Sequence, residues 1–343
     1  MISCIGHSII SPLGVGSAAN VEAVRAGRSG LSVHTNRFAD VEPFCASLFD
    51  TPQEFVPLCV RSVEDALKNL KISVDRQSRA KFEDLKIAAD QSTIFILSTT
   101  KGDHLDLLTP AQAIAQHFGN PNLPIVVSNA CTSGVCAQIT AKRLLDAGLY
   151  QHAIVIGCDI QTRFIVSGFQ SFKALSPEPC QPFSPDRKGL NLGEAAATIV
   201  YSSQKSEIRD QMSEVRNQPT WVLEAGSIHN DANHLSAPSR TGEGAYRCLM
   251  DVLEGVTPAD IDLIGVHGTG TLYNDDMETV AIERAGLQDV EKSILKPFYG
   301  HTMGAAGVLE TIIGIEMLGK GTFIKMLSGF GGVNAAIRMR LRS

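Results

Sequence analysis

The chain lacks several things, and each absence removes a class of protein. No run approaches the roughly 18 uncharged apolar residues that a membrane-spanning helix needs. The apolar amino terminus carries no positive leader: its first charged residue is Glu22 and its first basic one Arg25, so it does not read as a secretion signal. The 8 cysteines form no CxxC pair and follow no regular spacing, which fits reduced thiols in a cytosolic protein better than a disulfide framework. Positive charge is not in excess either; the net charge of −6 argues against wholesale nucleic-acid binding. Low-complexity tracts are missing. The sequence therefore predicts a soluble, cytoplasmic protein with no membrane span and no nucleic-acid partner.

What is present is ordinary globular material. With 343 residues and 44% apolar content the chain can bury a large core, as two domains or one duplicated unit. Short apolar runs read as buried strands, at residues 2–10, 92–98, 153–157 and 192–201. Helical patterns alternate with them, at 18–26 (with Ser17 as N-cap), 60–70, 110–118 and 135–147. Residues 30–56 and 159–173 show little periodicity and read as irregular. The polar stretch 202–218 is a natural boundary, after which the alternation restarts with strands at 221–225, 263–266, 323–327 and 335–341. Helices are expected there at 245–253, 277–285 and 305–318. This is the pattern of an α/β fold with largely parallel sheet. It divides the chain into an N-terminal half, 1–205, and a C-terminal half, 206–343, each with βαβ-like units. Between Lys68 and Lys86 six basic residues cluster, a solvated face or a docking patch for an acidic partner.

Four constellations carry chemistry. In the first, the run Val126-Val127 breaks into Ser128-Asn129-Ala130-Cys131-Thr132-Ser133-Gly134. That places Cys131 at a strand-to-helix turn, where a helix dipole lowers a thiol pKa and the sulfur can face a pocket. Cys136, Cys158 and Cys248, inside predicted elements, read as inert core thiols. The second is His267-Gly268-Thr269-Gly270-Thr271, where a histidine leaves a strand into a loop of small and hydroxyl residues. The third, Lys296 to Gly307 (KPFYGHTMGAAG), sets His301 before a helix N-terminus lined with Gly and Ala. Zinc is the competing use of one Cys and two His, but the spacings match no zinc pattern and no fourth ligand is evident, so no metal is expected. The fourth, Gly329-Phe330-Gly331-Gly332, presents one aromatic ring on a flexible turn, as a tight bend, a gate or an oxyanion donor.

Taken together and in order, these motifs resemble the β-ketoacyl-(acyl carrier protein) synthases, the ketosynthases of the thiolase superfamily. Further matching stretches are Gly6–Gly14 (GHSIISPLG), Gly168–Ser176 (GFQSFKALS) and Pro182–Ala197 (PFSPDRKGLNLGEAAA). The resemblance implies a thiolase-like duplicated βαβ core, layered α-β-α-β-α, and an acyltransferase that performs decarboxylative condensation. It implies Cys131 as the acyl acceptor, with His267 and His301 as neutral imidazoles acting on the malonyl partner. Lys296 would orient His301 and balance Glu310. Thr269 and Thr271 would bind the pantetheine arm, and the backbone N–H groups of Cys131 and Phe330 would form an oxyanion hole. The resemblance further implies no cofactor beyond the phosphopantetheine of an acyl carrier protein, and a homodimer, with a heterodimer of homologous subunits as the other arrangement. Two other functions stay open: a degenerate partner subunit of the chain-length type, and a thiolase-type enzyme acting on CoA esters. The second is at odds with the lack of a cysteine after Cys248. The chain departs from the family by a shortened segment between Leu31 and Val60, by a short interval from Glu310 to Phe330, and by Ser328 where an aromatic often stands. Thr99–Asp103 (TTKGD) is similar to synthases of bacterial aryl-polyene and other specialised pathways.

Overall fold

The computed structural model describes residues 1–70, 83–203 and 219–342. The 205/206 boundary and most of the basic stretch 68–86 lie outside the described residues. In chain order the first half contributes strands β1 (Ser3–Ser11), β2 (Gly14–Val15), β3 (Ser32–His34), β4 (Phe44–Ser47), β5 (Thr93–Ser98), β6 (Ile125–Val127), β7 (His152–Asp159), β8 (Leu192–Gly193) and β9 (Ala195–Ser202). The second contributes β10 (Thr220–Asn230), β11 (Leu263–Gly265), β12 (Glu291–Ser293), β13 (Thr322–Gly329) and β14 (Val333–Arg342). Helices are α1 (Ser17–Arg25), α2 (Phe55–Lys68), α3 (Glu83–Ala89), α4 (Leu108–His117), α5 (Ser133–Asp146), α6 (Arg163–Ser171), α7 (Glu243–Val252), α8 (Leu272–Arg284), α9 (Lys296–Tyr299) and α10 (Ala306–Leu318).

The main sheet runs β12-β11-β13-β14-β10-β1-β9-β7-β5-β6, with β2 paired to β1. Its two halves share one plan. In each, the first and last strands pair antiparallel, the last pairs antiparallel with the fourth, and the inner three are parallel. The halves meet at the antiparallel contact of β1 with β10, Ser3 opposite Val222.

Side-chain parity turns this sheet into layers. Ile94, Ile96, Ala153 and Val155 face one core together with α5 and α10, and Phe323, Ile337 and Met339 of the second half face the same core. The alternate residues Phe95, Leu97, Ile154 and Ile156 face α2 and α4. Ile264, Ile324 and Met326 face α7 and α8. The order is therefore helix, sheet, helix, sheet, helix, as a duplicated thiolase-like core requires. Strands β5 and β7 are buried on both faces, which is why their centres read as continuous hydrophobic runs.

The middle layer is tight. A Cβ on Gly134 of α5 would sit 2.8 Å from Gly307 Cα, and one on Gly307 would sit 2.4 Å from Val135 N. The two central helices thus touch backbone to backbone. Gln138 bridges them by donating to Gly307 O at 3.0 Å, and its own oxygen accepts from Tyr201 Oη at 2.7 Å.

Several local expectations are corrected. Gly16 (φ 88°) caps α1 in place of Ser17, whose hydroxyl lies 2.9 Å from His7 Nδ1. Residues 30–56 are not loop throughout; they form β3 and β4, which pair with β8 in a small sheet. Residues 163–171 are helical because Thr162 Oγ1 accepts the N–H of Ile165. α8 starts at Leu272, five residues ahead of the expected 277, since Asp275 in its first turn offsets its weak apolar periodicity. The short interval after Glu310 is a direct connection: α10 ends at Leu318 and β13 begins at Thr322, with Gly319 at φ 69° stopping the helix.

Gly134→Ala is expected to destabilise the fold by about 2–3 kcal/mol, since overpacking forces the helices apart. Urea denaturation reads this as a lower midpoint at unchanged slope; an unshifted midpoint would contradict the contact.

Candidate active site

The turn between β6 and α5 is built by its own hydroxyls. Ser133 Oγ accepts the Asn129 N–H at 2.7 Å and donates to Ala130 O at 2.5 Å, while Thr132 Oγ1 donates to Asn129 O at 2.7 Å. These bonds hold Ala130 at φ 48°, left-handed backbone that a non-glycine residue adopts only when its surroundings enforce it. Cys131 follows, 7% exposed, at the floor of a cavity of about 390 Å³. The expected lowering of its thiol pKa is not what the structure gives. Burial pushes Cys131 up to about 11, against the opposing pull of Lys296 and of the N–H groups of Phe330 and Cys131 itself. Desolvation outweighs the favourable charges, so the resting group is a thiol.

The two histidines arrive from the second half. His267 follows β11, and the Glu278 carboxylate of α8 fixes its backbone by accepting the N–H groups of His267 and, at 2.8 Å, Gly268. Burial pushes Glu278 up to about 7. Asp275 does the same for the next residues, accepting the N–H of Thr269 at 3.0 Å. Thr269 and Thr271, their hydroxyls 2.9 Å apart, line the cavity. His301 sits before α10, and its Nδ1 accepts the Met303 N–H at 3.4 Å. The rings of His267 and His301 stand edge to face with centroids 5.1 Å apart. Cys131 Sγ and one nitrogen from each histidine lie within 4.8 Å of one another. Burial holds both histidines well below the usual imidazole range, and Lys296 adds to it, so both are neutral at physiological pH.

Behind this group lies a buried ion cluster. Glu310 pairs with Lys296 through one oxygen and with Lys325 at 2.6 Å through the other, and all three are at most 4% exposed. Lys325 also donates to Gly265 O and Val266 O at 3.1 and 2.8 Å, which ties it to the strand leading into His267. Burial lowers the Lys325 pKa despite Glu310; for Glu310, burial is outweighed by its two lysines and the carboxyl is held low. The cluster carries one net positive charge. Lys296 was expected to orient His301 and balance Glu310; it pairs with Glu310, while the Met303 amide bonds the ring and Lys296 acts on it through charge. That positive field also disfavours a divalent cation at Cys131, His267 and His301.

Phe330 stands on the turn joining β13 to β14, whose Gly331 and Gly332 take φ of 86° and 73°. Its ring stacks on Phe169 at 6.0 Å and meets Phe172 edge-on at 6.2 Å, above the same cavity. A Cβ on Gly329 would lie 3.2 Å from Cys131 N, so the turn and the nucleophile's amide are in contact. The N–H groups of Phe330 and Cys131 both pull the Cys131 thiol pKa down, against its burial. Ser328, in place of an aromatic, donates to Asn334 Oδ1 at 2.6 Å and braces the turn.

Every residue expected at the site lies in or around this cavity, with Lys296 and Glu310 just behind it. Asp275, Glu278, Lys325 and Asp159 were not anticipated. The three acidic residues of Asn274–Glu278, beside buried Met277, are the signal that could have found the first two.

Comparison with known proteins follows the same lines. Residues 104–206 match the family model "Beta-ketoacyl synthase, N-terminal domain", and residues 221–329 match "Beta-ketoacyl synthase, C-terminal domain". The chain is 34% identical over 224 residues to a 3-oxoacyl-[acyl-carrier-protein] synthase 2 of Rhizobium meliloti (strain 1021), covering 62% of this chain and 51% of that one. The match thus spans about half the length of that relative. Nodulation protein E of Rhizobium leguminosarum bv. trifolii is 29% identical over 289 residues, 78% of this chain and 70% of its own. Among solved structures, a chain from the complex of a ketosynthase (ApeO) with its chain length factor (ApeC), from Xenorhabdus doucetiae, superposes with a TM-score of 0.81. It is 23% identical and covers 99% of this chain and 98% of its own.

Two outcomes are expected of the site's electrostatics. Alkylation of Cys131 by iodoacetamide should climb about tenfold per pH unit from about pH 7 to about pH 10 without levelling, because burial holds the thiol near about 11. Levelling from about pH 9 would show an ordinary thiol with a pKa of about 8.5. Glu310→Gln leaves two buried lysines without a counter-charge and should cost about 3–5 kcal/mol in urea denaturation.

Proposed function

Because this chain belongs to the β-ketoacyl synthase family, we propose that it condenses an acyl thioester held on Cys131 with a malonyl thioester, releasing carbon dioxide. The observation that carries this reading is the convergence of Cys131 Sγ with two neutral histidines, within 4.8 Å, beneath two backbone N–H groups.

In the first half-reaction the Cys131 sulfur attacks the acyl carbonyl of a carrier-bound thioester. The thiol proton passes to the departing carrier thiol, and the acyl group stays on Cys131. The N–H groups of Cys131 and Phe330 receive the tetrahedral oxyanion, each such donor being worth about 3 kcal/mol in comparable sites. A thiol held near about 11 is a poor nucleophile at rest, and the attack relies on Lys296 and the two N–H groups to meet the negative charge as it develops. In the second half-reaction a malonyl thioester enters along Thr269 and Thr271. Loss of its carboxylate as carbon dioxide leaves an enolate, whose oxygen accepts from His301 Nε2–H and from His267. The enolate carbon attacks the acyl-Cys131 carbonyl, the carbon–sulfur bond breaks, and the sulfur regains its proton as the 3-oxoacyl thioester leaves. Neutral imidazoles suit this work, since each offers an N–H to a developing oxyanion without losing a proton to it. Burial keeps them neutral, and the charges of Lys296 and Lys325 act in the same direction.

The substrates are carried on the phosphopantetheine of an acyl carrier protein, and the protein itself holds no cofactor. It acts in the cytoplasm, in fatty-acid or polyketide chain elongation. Strand β6 ends the sheet with half-buried residues, and Leu105, Leu108 and Leu123 nearby are exposed, which supports pairing with a second subunit, a copy of itself or a homologue. No helix among the described residues is long and apolar enough to cross a membrane. A thiolase-type reaction is disfavoured because, among the described residues, Cys131 is the one cysteine lining the cavity.

Acyl-carrier protein incubated with the wild type should add one acyl group to Cys131, seen by mass spectrometry, and malonyl-carrier protein should then yield a 3-oxoacyl product. Cys131→Ala should take up no acyl group. His301→Ala should still acylate but lose decarboxylation by about 10²–10⁴-fold. Acylation by acyl-CoA alone would favour the thiolase reading, and no acylation at all would favour a partner subunit.

A further inference from the structure

Asp159 closes β7, is 1% exposed, and has no part in the chemistry above. Four donors converge on its carboxylate: Thr99 Oγ1 at 2.8 Å, the Thr100 N–H at 3.0 Å, Thr100 Oγ1 at 2.8 Å and the Gly304 N–H at 2.7 Å. The ammonium of Lys101, also buried, lies 4.0 Å away. Donors on every side are the surroundings of an ionised carboxylate, which can only accept. Burial raises its pKa, and Lys101, the Gly304 N–H and the hydroxyls of Thr99 and Thr100 act against that rise.

The bond to Gly304 is the unusual one, because it crosses from the first half of the chain to the turn that follows His301. The other polar group of Gly304 is held as well, since Ser98 Oγ donates to Gly304 O at 2.6 Å. A Cβ on Gly304 would lie 2.5 Å from Thr99 Cα, so the strand ends grip the turn backbone to backbone. One residue earlier, Met303 sits at φ 53°, a conformation that persists only when neighbours over-determine it. Its N–H is the donor to His301 Nδ1, and His301 Nε2 is buried without a partner.

We propose that Asp159 is a positioning residue for His301: by anchoring Gly304 it holds the strained Met303 amide against Nδ1, so that the neutral ring keeps its proton on Nε2, toward Cys131. Loss of the anchor lets Met303 relax to ordinary backbone and frees the tautomer. Thr99, Thr100 and Lys101 then have a common role as the frame of that carboxylate. Decarboxylation needs the Nε2 proton, whereas acyl transfer to Cys131 relies on the sulfur and two amides, so the two half-reactions separate. This inference rests on the ketosynthase reading above.

The test uses the full-length protein and two assays, acyl-Cys131 formation by mass spectrometry and carbon dioxide release from malonyl-carrier protein. Nitrogen NMR of isotope-labelled histidine, assigned by loss of the His301 signals in His301→Gln, reports the tautomer. Asp159→Ala should acylate within about threefold of wild type yet decarboxylate about 30-fold more slowly or worse, with His301 moving to a tautomer mixture. Asp159→Asn, which can still accept from Gly304, should fall between. If Asp159→Ala does not fold, Ser98→Ala, which frees the Gly304 carbonyl, should show the same split. An unchanged tautomer overturns the proposal, whether activity is wild-type or both half-reactions fall together with a lowered melting temperature. Failure of the wild type to acylate or decarboxylate would instead overturn the ketosynthase reading, and the tautomer of His301 would still decide the role of Asp159.

Discussion

Everything at the site depends on two helices being allowed to touch. Gly134 and Gly307 remove the side chains that would separate α5 from α10, and the separation they permit is shorter than any pair of alanines would accept. Cys131 lies two residues ahead of α5, and His301 lies five ahead of α10. The crossing therefore sets how far apart Cys131 and His301 stand. The surrounding sheet follows from the same constraint: each half buries one face against the central pair and the other against its own outer helices.

A second constraint is electrical. The reactive groups are all uncharged at rest, a thiol and two imidazoles, and burial is the first cause in each case. They sit over a buried cluster of two lysines and one glutamate with one net positive charge. A site of this kind stabilises negative charge as it appears, on sulfur or on an enolate oxygen, while storing none beforehand. Lys325 completes the cluster and also grips the strand that leads into His267, so the charge and the geometry of that histidine have one source.

Much of this was legible in the sequence, for a physical reason. Buried parallel strands must be continuously apolar, and close-approach turns must be glycine, so β5, β7, the Cys131 turn and the Gly329–Gly332 turn announce themselves. The stripe of Val60, Val63 and Leu67 in α2 and the largely apolar run of α10 were equally plain. What was missed depends on partners distant in the chain. Helix α6 hangs on one Thr162 cap within an aromatic-rich stretch. Asp159, Glu278 and Lys325 look like ordinary charges until folding shows them to be buried. The thiol pKa was misjudged because a helix terminus is visible in sequence and desolvation is not.

The site is also divided between the halves of the chain. The first brings Cys131, and the second brings both histidines, the lysine–glutamate cluster and the Phe330 amide. Neither half holds the arrangement alone: one presents a buried thiol without imidazoles, the other two imidazoles without a thiol. The grouping exists only where β13 and β14 bring their connecting turn against the Cys131 amide, so the duplicated architecture makes the site a property of the contact between its copies.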